Sequence, residues 1–333
     1  MRIFYRLEFN LATGCRQAAS RQHVGAPDGK TDAPSSLEIS ASQLFRISAF
    51  TSQMLRILLL GRTGNHLFQY ALGRVLAEKH GVPLVMDASW FNEEGWAEVS
   101  HFLKLPLKAK VVRRCSLGAR ALRKFTGRHY WEYRGVPVLR EAGDDQSFDA
   151  RFLEAPADCM LFGYFQSPLY FESIAGPLRE ELNAILKNAL RIPGDLRAKL
   201  AHPDAVAVHV RRKDYLDLPV FQVCDSAYYR DAMCEMRDHL PDARFYIFSD
   251  DPEWCRGEFR EADQEVVDSG NAAANPLYDL HLMSLAGHHI IANSTYSWWA
   301  AWLGDKPGQR VIMPDRWYAH GIKAPMAEKR WKG

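Results

Sequence analysis

The chain has no long apolar run. Stretches such as Ile57–Leu60 and Val206–Val208 fall far short of the roughly 20 residues a membrane-spanning helix needs, so no transmembrane segment is expected. It also lacks a charge imbalance: 42 Lys and Arg against 40 Asp and Glu leave a net charge of +2. That excludes the global basic field of a nucleic-acid-binding surface and makes any anion site a local one. Cysteine is sparse, with six in 333 residues (Cys15, Cys115, Cys159, Cys224, Cys234 and Cys255), and there is no CxxC pair and no disulfide-dense segment. Such usage fits a reducing cytoplasm and supplies no metal framework. What is present is an ordinary globular composition, 47% hydrophobic and 25% charged, on a chain long enough for two domains of roughly 100–200 residues each.

Residues 1–53 mix Gly, Ser, Asp, Gln and Arg without sustained periodicity, and Arg2, Arg6 and Glu8 interrupt the only apolar patch, so no secretory core is present. A poorly ordered leader is expected, with Met54 as the true start and residues 1–53 as an upstream extension of the reading frame. The alternative is a short amphipathic membrane-surface segment at Phe4–Leu11 or Leu44–Phe50.

From Leu55 the pattern changes. Leu55–Leu60 reads as a buried strand ending at Gly61; GRTGN leads into a helix whose apolar residues Leu67, Phe68, Tyr70, Ala71, Leu72, Val75 and Leu76 keep helical spacing; Gly81 stops it, and PLVMD is the next strand. Gly61 and Gly64 permit close backbone approach over the turn. Asn65 lies near the amino end of the helix, where free N–H groups and the dipole favour an anion or a hydroxyl-rich ligand; a plain N-cap is the alternative. Between Ser89 and Pro156 the signal is poorer. Trp90, Trp96, Tyr130, Trp131 and Tyr133 are candidates to line a sugar site or simply to fill the core. Arg113, Arg114, Arg120, Arg123, Lys124 and Arg128 read as a solvated helix surface rather than a nucleic-acid patch. A strand at Met160–Tyr164 and a helix in PLREELNAILKNAL come next, and Pro193–Gly194 with Pro203 flank a linker-like boundary.

The second half alternates strand and helix, so a parallel, doubly wound sheet is expected. Three of its strand ends are polar: HVRRKD, FSDD and ANSTYS. At the first, five small or β-branched apolar residues, Ala205–Val208 and Val210, with His209 among them, run into Arg211, Arg212 and Asp214. Two always-charged guanidinium forks at the carboxyl end of a parallel strand suit a phosphate or diphosphate; an ion pair from Arg212 to Asp214 or Asp217 is the alternative. Ser294, Thr295 and Ser297 open an apolar helix and, with its free N–H groups, make a phosphate seat. Asp250 and Asp251 can accept from a guanine edge or a ribose hydroxyl, or cap the next helix.

The order of these blocks, GRTGNHLFQYA at Gly61–Ala71, HxRRxD at His209–Asp214, FSDD at Phe248–Asp251 and NSTxSWW at Asn293–Trp299, resembles the α-1,2-fucosyltransferases of glycosyltransferase family 11, bacterial type, over residues 54–320. Two departures stand out: Arg62–Thr63 where bacterial members often carry a glycine and a hydrophobic residue, and His66 in place of glutamine. Both bear on acceptor preference. The resemblance implies an α/β, GT-B-like fold of two Rossmann-like domains with parallel sheets facing a central cleft. An acceptor-side domain would occupy 54–192 and a GDP-fucose-binding domain 193–333. It further implies transfer of L-fucose from GDP-β-L-fucose to the 2-hydroxyl of a galactose-terminated glycan, with inversion and without cofactor or divalent metal. Adjacent rather than spaced acidic pairs fit the absence of a metal. Arg211, Asn65 and Asp214 would be catalytic. His209, Arg212, Asp250, Asp251, Ser294, Thr295, Ser297, Gly61 and Gly64 would bind the donor, and His66 would lie on the acceptor side. The proton acceptor stays open among Asp214, His66 and a phosphate oxygen of the departing GDP. The expected partners are therefore GDP-fucose and a glycan, with no nucleic acid. The expected setting is the cytoplasm, with peripheral association at the inner membrane. An α-1,6- or protein-O-fucosyltransferase with the same donor, or a non-catalytic nucleotide-sugar or glycan-binding protein, are the alternatives.

Overall fold

A computed structural model describes residues 53–91, 99–113, 125–126, 129–142, 147–268, 275–321, 326 and 331. The leader therefore lies outside the described residues but for its last position, as do Trp96 and most of the basic cluster beginning at Arg113.

Two five-stranded sheets, every strand parallel to its neighbours, carry the fold. The first comprises β1 (Leu55–Leu58), β2 (Leu84–Asp87), β3 (Lys110–Val112), β4 (Val138–Arg140) and β5 (Cys159–Phe162), in the order β3-β2-β1-β5-β4. The second comprises β6 (Ala205–Val210), β7 (Arg244–Ser249), β8 (Gln264–Val266), β9 (His288–Ile290) and β10 (Val311–Ile312), in the order β10-β9-β6-β7-β8. In each sheet the first strand is central, and the chain builds outward on one side before crossing to the other. Such a reversal leaves a crevice beside the carboxyl end of the central strand, here β1 and β6, where open α/β sheets bind ligands. The α/β, GT-B-like, twice-Rossmann architecture expected from the sequence is thus present.

Eight helices bear on the site and its supports: α1 (Thr63–His80), α2 (Ala175–Ala189), α3 (Gly194–Leu200), α4 (Lys213–Leu216), α5 (Ser226–His239), α6 (Pro252–Glu258), α7 (Pro276–Ser284) and α8 (Thr295–Leu303). Strand β6 is buried throughout and divides its side chains by the two-residue period. Ala205 and Ala207 join the larger core, while Val206, Val208 and Val210 pack with Tyr229 and Met233 of α5 and Phe245 and Ile247 of β7. The larger core also contains β1, α1 and α8, so the two sheets share one hydrophobic interior.

The junction is aromatic. Helix α8 is apolar around its whole circumference, as a fully buried helix must be, with Trp298, Trp299 and Trp302 all inaccessible. The Phe68 ring of α1 lies 4.8 Å from Trp298 and 5.0 Å from Trp299, and Phe171 stacks on Trp299 at 5.4 Å. Burying one Phe-sized side chain stabilises by about 1.5–3 kcal/mol, so this cluster fixes how α1 meets α8. Helix α2 secures the far end: Arg179 Nε donates to the Trp302 carbonyl at 2.8 Å and Asn183 Nδ2 to that of Leu303 at 3.0 Å, satisfying the last carbonyls of α8.

The structure corrects several sequence expectations. Helix α1 begins at Thr63, so Gly64 and Asn65 lie in its first turn rather than in a preceding loop. The supposed linker after Pro193 is helix α3, with Pro193 as its N-cap. The edge strands β3 and β4, three residues each and only part-buried, carry too short a pattern to be recognised. No helix among the described residues is long and apolar enough to cross a membrane.

Candidate active site

The site is built where the ends of β1 and β6 meet. The parallel register of β6 with β7, which sets Val210 opposite Ser249, places Arg211 and Arg212 level with Asp250 and Asp251. Arg211 Nη2 bonds Asp214 at 2.8 Å and Nη1 lies 3.2 Å from Asp250. Burial works against the charge on Arg211, but Asp250 and Asp214 outweigh it and hold its pKa above the ordinary value. Arg212 turns the other way. Its backbone N–H donates to Asp250 at 2.9 Å, its Nε to Asp251 at 3.2 Å, and its guanidinium lies 3.7 Å from the centre of the Trp254 ring. The ion pairs of Arg212 are therefore with the β7 terminus, not with Asp214 or Asp217. Asp251 also caps α6 by accepting from the Trp254 N–H, while Asp214 opens the short helix α4.

His209, the last residue but one of β6, is 4% exposed, and its Nδ1 has no hydrogen-bond partner. Desolvation, with Arg211 adding to it, pushes its pKa down to about 3, so the ring is neutral at any working pH. A neutral imidazole can both donate and accept, which suits a nucleobase or hydroxyl edge.

The first half contributes shape. Gly61 takes φ +71°, a left-handed conformation that a side chain would strain, and a Cβ there would also strike Asn65 Nδ2 at 2.1 Å. At Gly64 the limit is space: an added Cβ would stand 2.4 Å from Thr295 Oγ1 and 2.6 Å from the Tyr296 nitrogen. The first turns of α1 and α8 are thus in contact. Asn65 spans them, its Oδ1 accepting from Thr295 Oγ1 at 3.0 Å and from Gln166 Nε2 at 3.0 Å. Two donors on Oδ1 fix the amide and aim Nδ2 toward the Gly61 turn. Neither helix has a side-chain cap, since the N-caps Arg62 and Ser294 make no capping hydrogen bond and no acid occupies either first turn. Two uncapped amino ends, each equivalent to about half a positive charge, therefore converge beside Arg211. Arg62 Nη1 lies 3.6 Å from Asp214, so the first half also reaches the arginine cluster electrostatically.

Sequence reasoning missed the supports of this turn. Gln69 ties the end of β1 to that of β5, accepting from the Leu60 N–H at 3.3 Å and donating to the Gly163 carbonyl at 2.8 Å. Glu141 accepts from the Tyr164 and Phe165 N–H groups at 2.7 and 3.1 Å, holding Phe165 at φ +54°, a position a bulky residue seldom adopts. That bend delivers Gln166 to Asn65. The positive φ is legible only in the backbone, and the Gln166–Asn65 pairing spans 101 residues.

Two expected site residues are buried. His66 is fully buried between Phe91 and Phe102, ring centroids 5.7 and 5.5 Å away, and neither ring nitrogen has a hydrogen-bond partner. Burial drives its pKa down to about 3 against an opposing influence of the Gly61 backbone, so the ring is neutral and packed in the core. Ser297 is 1% exposed and donates back to the Ser294 carbonyl at 3.2 Å, which takes its hydroxyl away from a phosphate. Of the aromatic candidates, Trp131 Nε1 donates to Asp87 at 3.2 Å with Arg56 stacked 4.3 Å from its ring, and Trp90 packs on His129 and Phe162. Among the described residues no group of three or more His, Cys, Asp or Glu side chains could hold a metal ion.

Two Rossmann-like sheets whose switch points meet over a cluster of arginines and helix ends are the layout of a GT-B-like glycosyltransferase. The chain belongs to glycosyl transferase family 11, whose family model matches residues 141–333. Among curated proteins it is 33% identical over 276 residues to an alpha-1,2-colitosyltransferase of Escherichia coli, covering 78% of this chain and 91% of that one. It is 28% identical over 250 residues to galactoside alpha-(1,2)-fucosyltransferase 1 of Saimiri boliviensis boliviensis, covering 73% of this chain and 63% of that one. Among solved structures it is similar to the fucosyltransferase NodZ from Bradyrhizobium, with 16% identity, a TM-score of 0.42, and coverage of 75% of this chain and 93% of that one.

Proposed function

We propose that the chain transfers L-fucose from GDP-β-L-fucose to the 2-hydroxyl of a galactose-terminated glycan, inverting the anomeric centre to an α-1,2 linkage without a divalent metal. The observation that carries this reading is the convergence of Arg211 with the uncapped amino ends of α1 and α8 at Asn65 and Thr295. In the reaction the acceptor oxygen bonds to the anomeric carbon as the bond to the β-phosphate oxygen breaks, and the electron pair leaves on GDP. Arg211 and the α8 terminus, with Ser294 and Thr295, stabilise that growing charge. His209 and Asp250 hold the nucleoside, and Asn65 Nδ2 contacts the reacting groups from the other side. With His66 buried, the acceptor proton passes to Asp214 or to a phosphate oxygen of the departing GDP.

The test is GDP release by the full chain from GDP-fucose and lactose in the presence of EDTA, with mass analysis of the product. Lactose-dependent turnover that survives EDTA supports the reading; failure to bind GDP-fucose sinks it. A second donor is favoured by the 33% identity to a colitosyltransferase. Colitose is the 3-deoxy counterpart of L-fucose, and a product one oxygen lighter, formed faster from the GDP-activated deoxy sugar, would select it.

A further inference from the structure

Arg211 and Arg212 do not by themselves make a positive site. Their guanidinium groups are met by three carboxylates, Asp214, Asp250 and Asp251, so the ion-paired cluster at the end of β6 carries one negative charge in excess. Arg212 is moreover committed to Asp251 and to the Trp254 face. A leaving diphosphate brought to this cluster would meet net repulsion from it, offset by the helix ends and by neighbouring cations such as the exposed Lys213. A further cation reaches it: Arg62, the N-cap of α1, 3.6 Å from Asp214. Its side chain is 42% exposed whereas Asp214 is 11% exposed, so the guanidinium lies on the solvent side of this ion pair.

We propose that Arg62 is the third cation of the diphosphate seat: it crosses from the first half, neutralises the surplus carboxylate, and donates to the departing nucleotide's β-phosphate, a charge a metal ion would otherwise supply. This inference rests on the GDP-sugar reading above. Asp214 is then the pivot between two arginines, one from each half. Donor binding would draw Arg62 from Asp214 toward the phosphate, joining the two halves through the ligand. A charge-assisted hydrogen bond of this kind is roughly twice as strong as a neutral one and is sensitive to geometry.

The experiment compares GDP and guanosine binding by calorimetry for the wild-type chain, Arg62→Ala and Arg62→Lys, together with kcat/KM for GDP-fucose. Arg62→Ala is expected to weaken GDP by about tenfold or more while leaving guanosine unchanged, to lower kcat/KM by a larger factor, and to be rescued in good part by lysine. Wild-type affinity for GDP in Arg62→Ala, or an equal loss of GDP and guanosine, overturns the proposal and leaves the donor reading standing. A wild-type chain that binds no GDP removes the donor reading and this proposal together.

Discussion

The two sheets are alike in strand number and direction, yet their central strands end in opposite chemistry. Beyond β6 lie two arginines locked to three carboxylates. Beyond β1 lies a glycine turn that contributes one amide, one part-exposed cation and the end of an 18-residue helix. One half concentrates charge and holds it rigid. The other supplies shape, through Gly61, Gly64 and the fixed amide of Asn65. On the proposed reading an anion site forms where they meet, because the charged half alone is over-supplied with carboxylates and the shaped half alone has too little charge.

The comparison breaks most completely at Arg211. Arg211→Ala leaves Asp250 without its cation and Asp214 with Arg62 alone, and we expect turnover to fall by about 10³-fold or more with a lower melting temperature. Arg211→Lys keeps the charge but loses the fork, so stability should largely return while turnover stays about 10²-fold down. Turnover near wild type in either variant would show that the charged half is not where the chemistry lies.

A feature the halves share sharpens the contrast. His66 in the first, and His209 and His289 in the second, are buried neutral, each held down to about 3 by desolvation. Their folded values lie below the unfolded 6.5, so the unfolded chain takes up protons first. Stability is therefore complete above pH 6.5 and falls as pH drops from 6.5 toward 3, by up to about 1.4 kcal/mol per pH unit for each histidine. His281, held down to about 4 by burial, adds to these three, so urea titrations at pH 7.5 and 5.5 should differ by about 5 kcal/mol. His66→Gln should remove about a quarter of that difference without altering the pH dependence of turnover. A change in the turnover profile would return His66 to the reaction.

Smaller again is the glycine pair. Gly64→Ala drives a Cβ to 2.6 Å from the Tyr296 backbone, which cannot yield, and should cost about 2–3 kcal/mol while parting Asn65 from Thr295. Gly81→Ala, at φ +64° with nothing within 4 Å, should cost about 1 kcal/mol and leave activity alone. Melting temperatures with kcat for the two variants test whether the shaped half works through close approach. Equal losses of activity would deny it.

Legibility in the sequence divides along the same line. The charged half announces itself locally: β6 and β7 are continuous apolar runs ending in HVRR and FSDD, so both strands and their polar ends are readable. Which acid meets which arginine was unreadable. That depends on the β6–β7 register, which pairs Arg212 with Asp251 rather than with its neighbours in sequence. In the shaped half Gly64 looks like a turn residue because glycine is usual in turns, yet it is helical, and small for the sake of Thr295 at the distant start of α8. The proline and glycine at 193 and 194 look like a linker but start a helix, where proline's fixed φ is tolerated. His66 and Ser297 carry site-like chemistry in sequence, and only burial shows that their polar atoms are turned inward.

The finest distinction concerns Gln166. Its Nε2 and the Thr295 hydroxyl donate to the same oxygen of Asn65, so each holds the amide that points Nδ2 at the Gly61 turn. Either donor alone still disfavours the flipped amide; without both, Nδ2 and Oδ1 become interchangeable. Gln166→Leu and Thr295→Val should each lower kcat by about threefold to tenfold, the worth of one net hydrogen bond. GDP affinity should stay unchanged in Gln166→Leu, because that side chain touches no part of the charged half. Together the two substitutions should cost more than the product of the single effects, since only the pair frees the amide. Gln166→Glu should exceed Gln166→Leu, because a carboxylate facing Asn65 Oδ1 favours the flipped amide outright. A strictly multiplicative double variant, or Gln166→Glu no worse than Gln166→Leu, would mean that Gln166 supports the turn and not the orientation of Asn65.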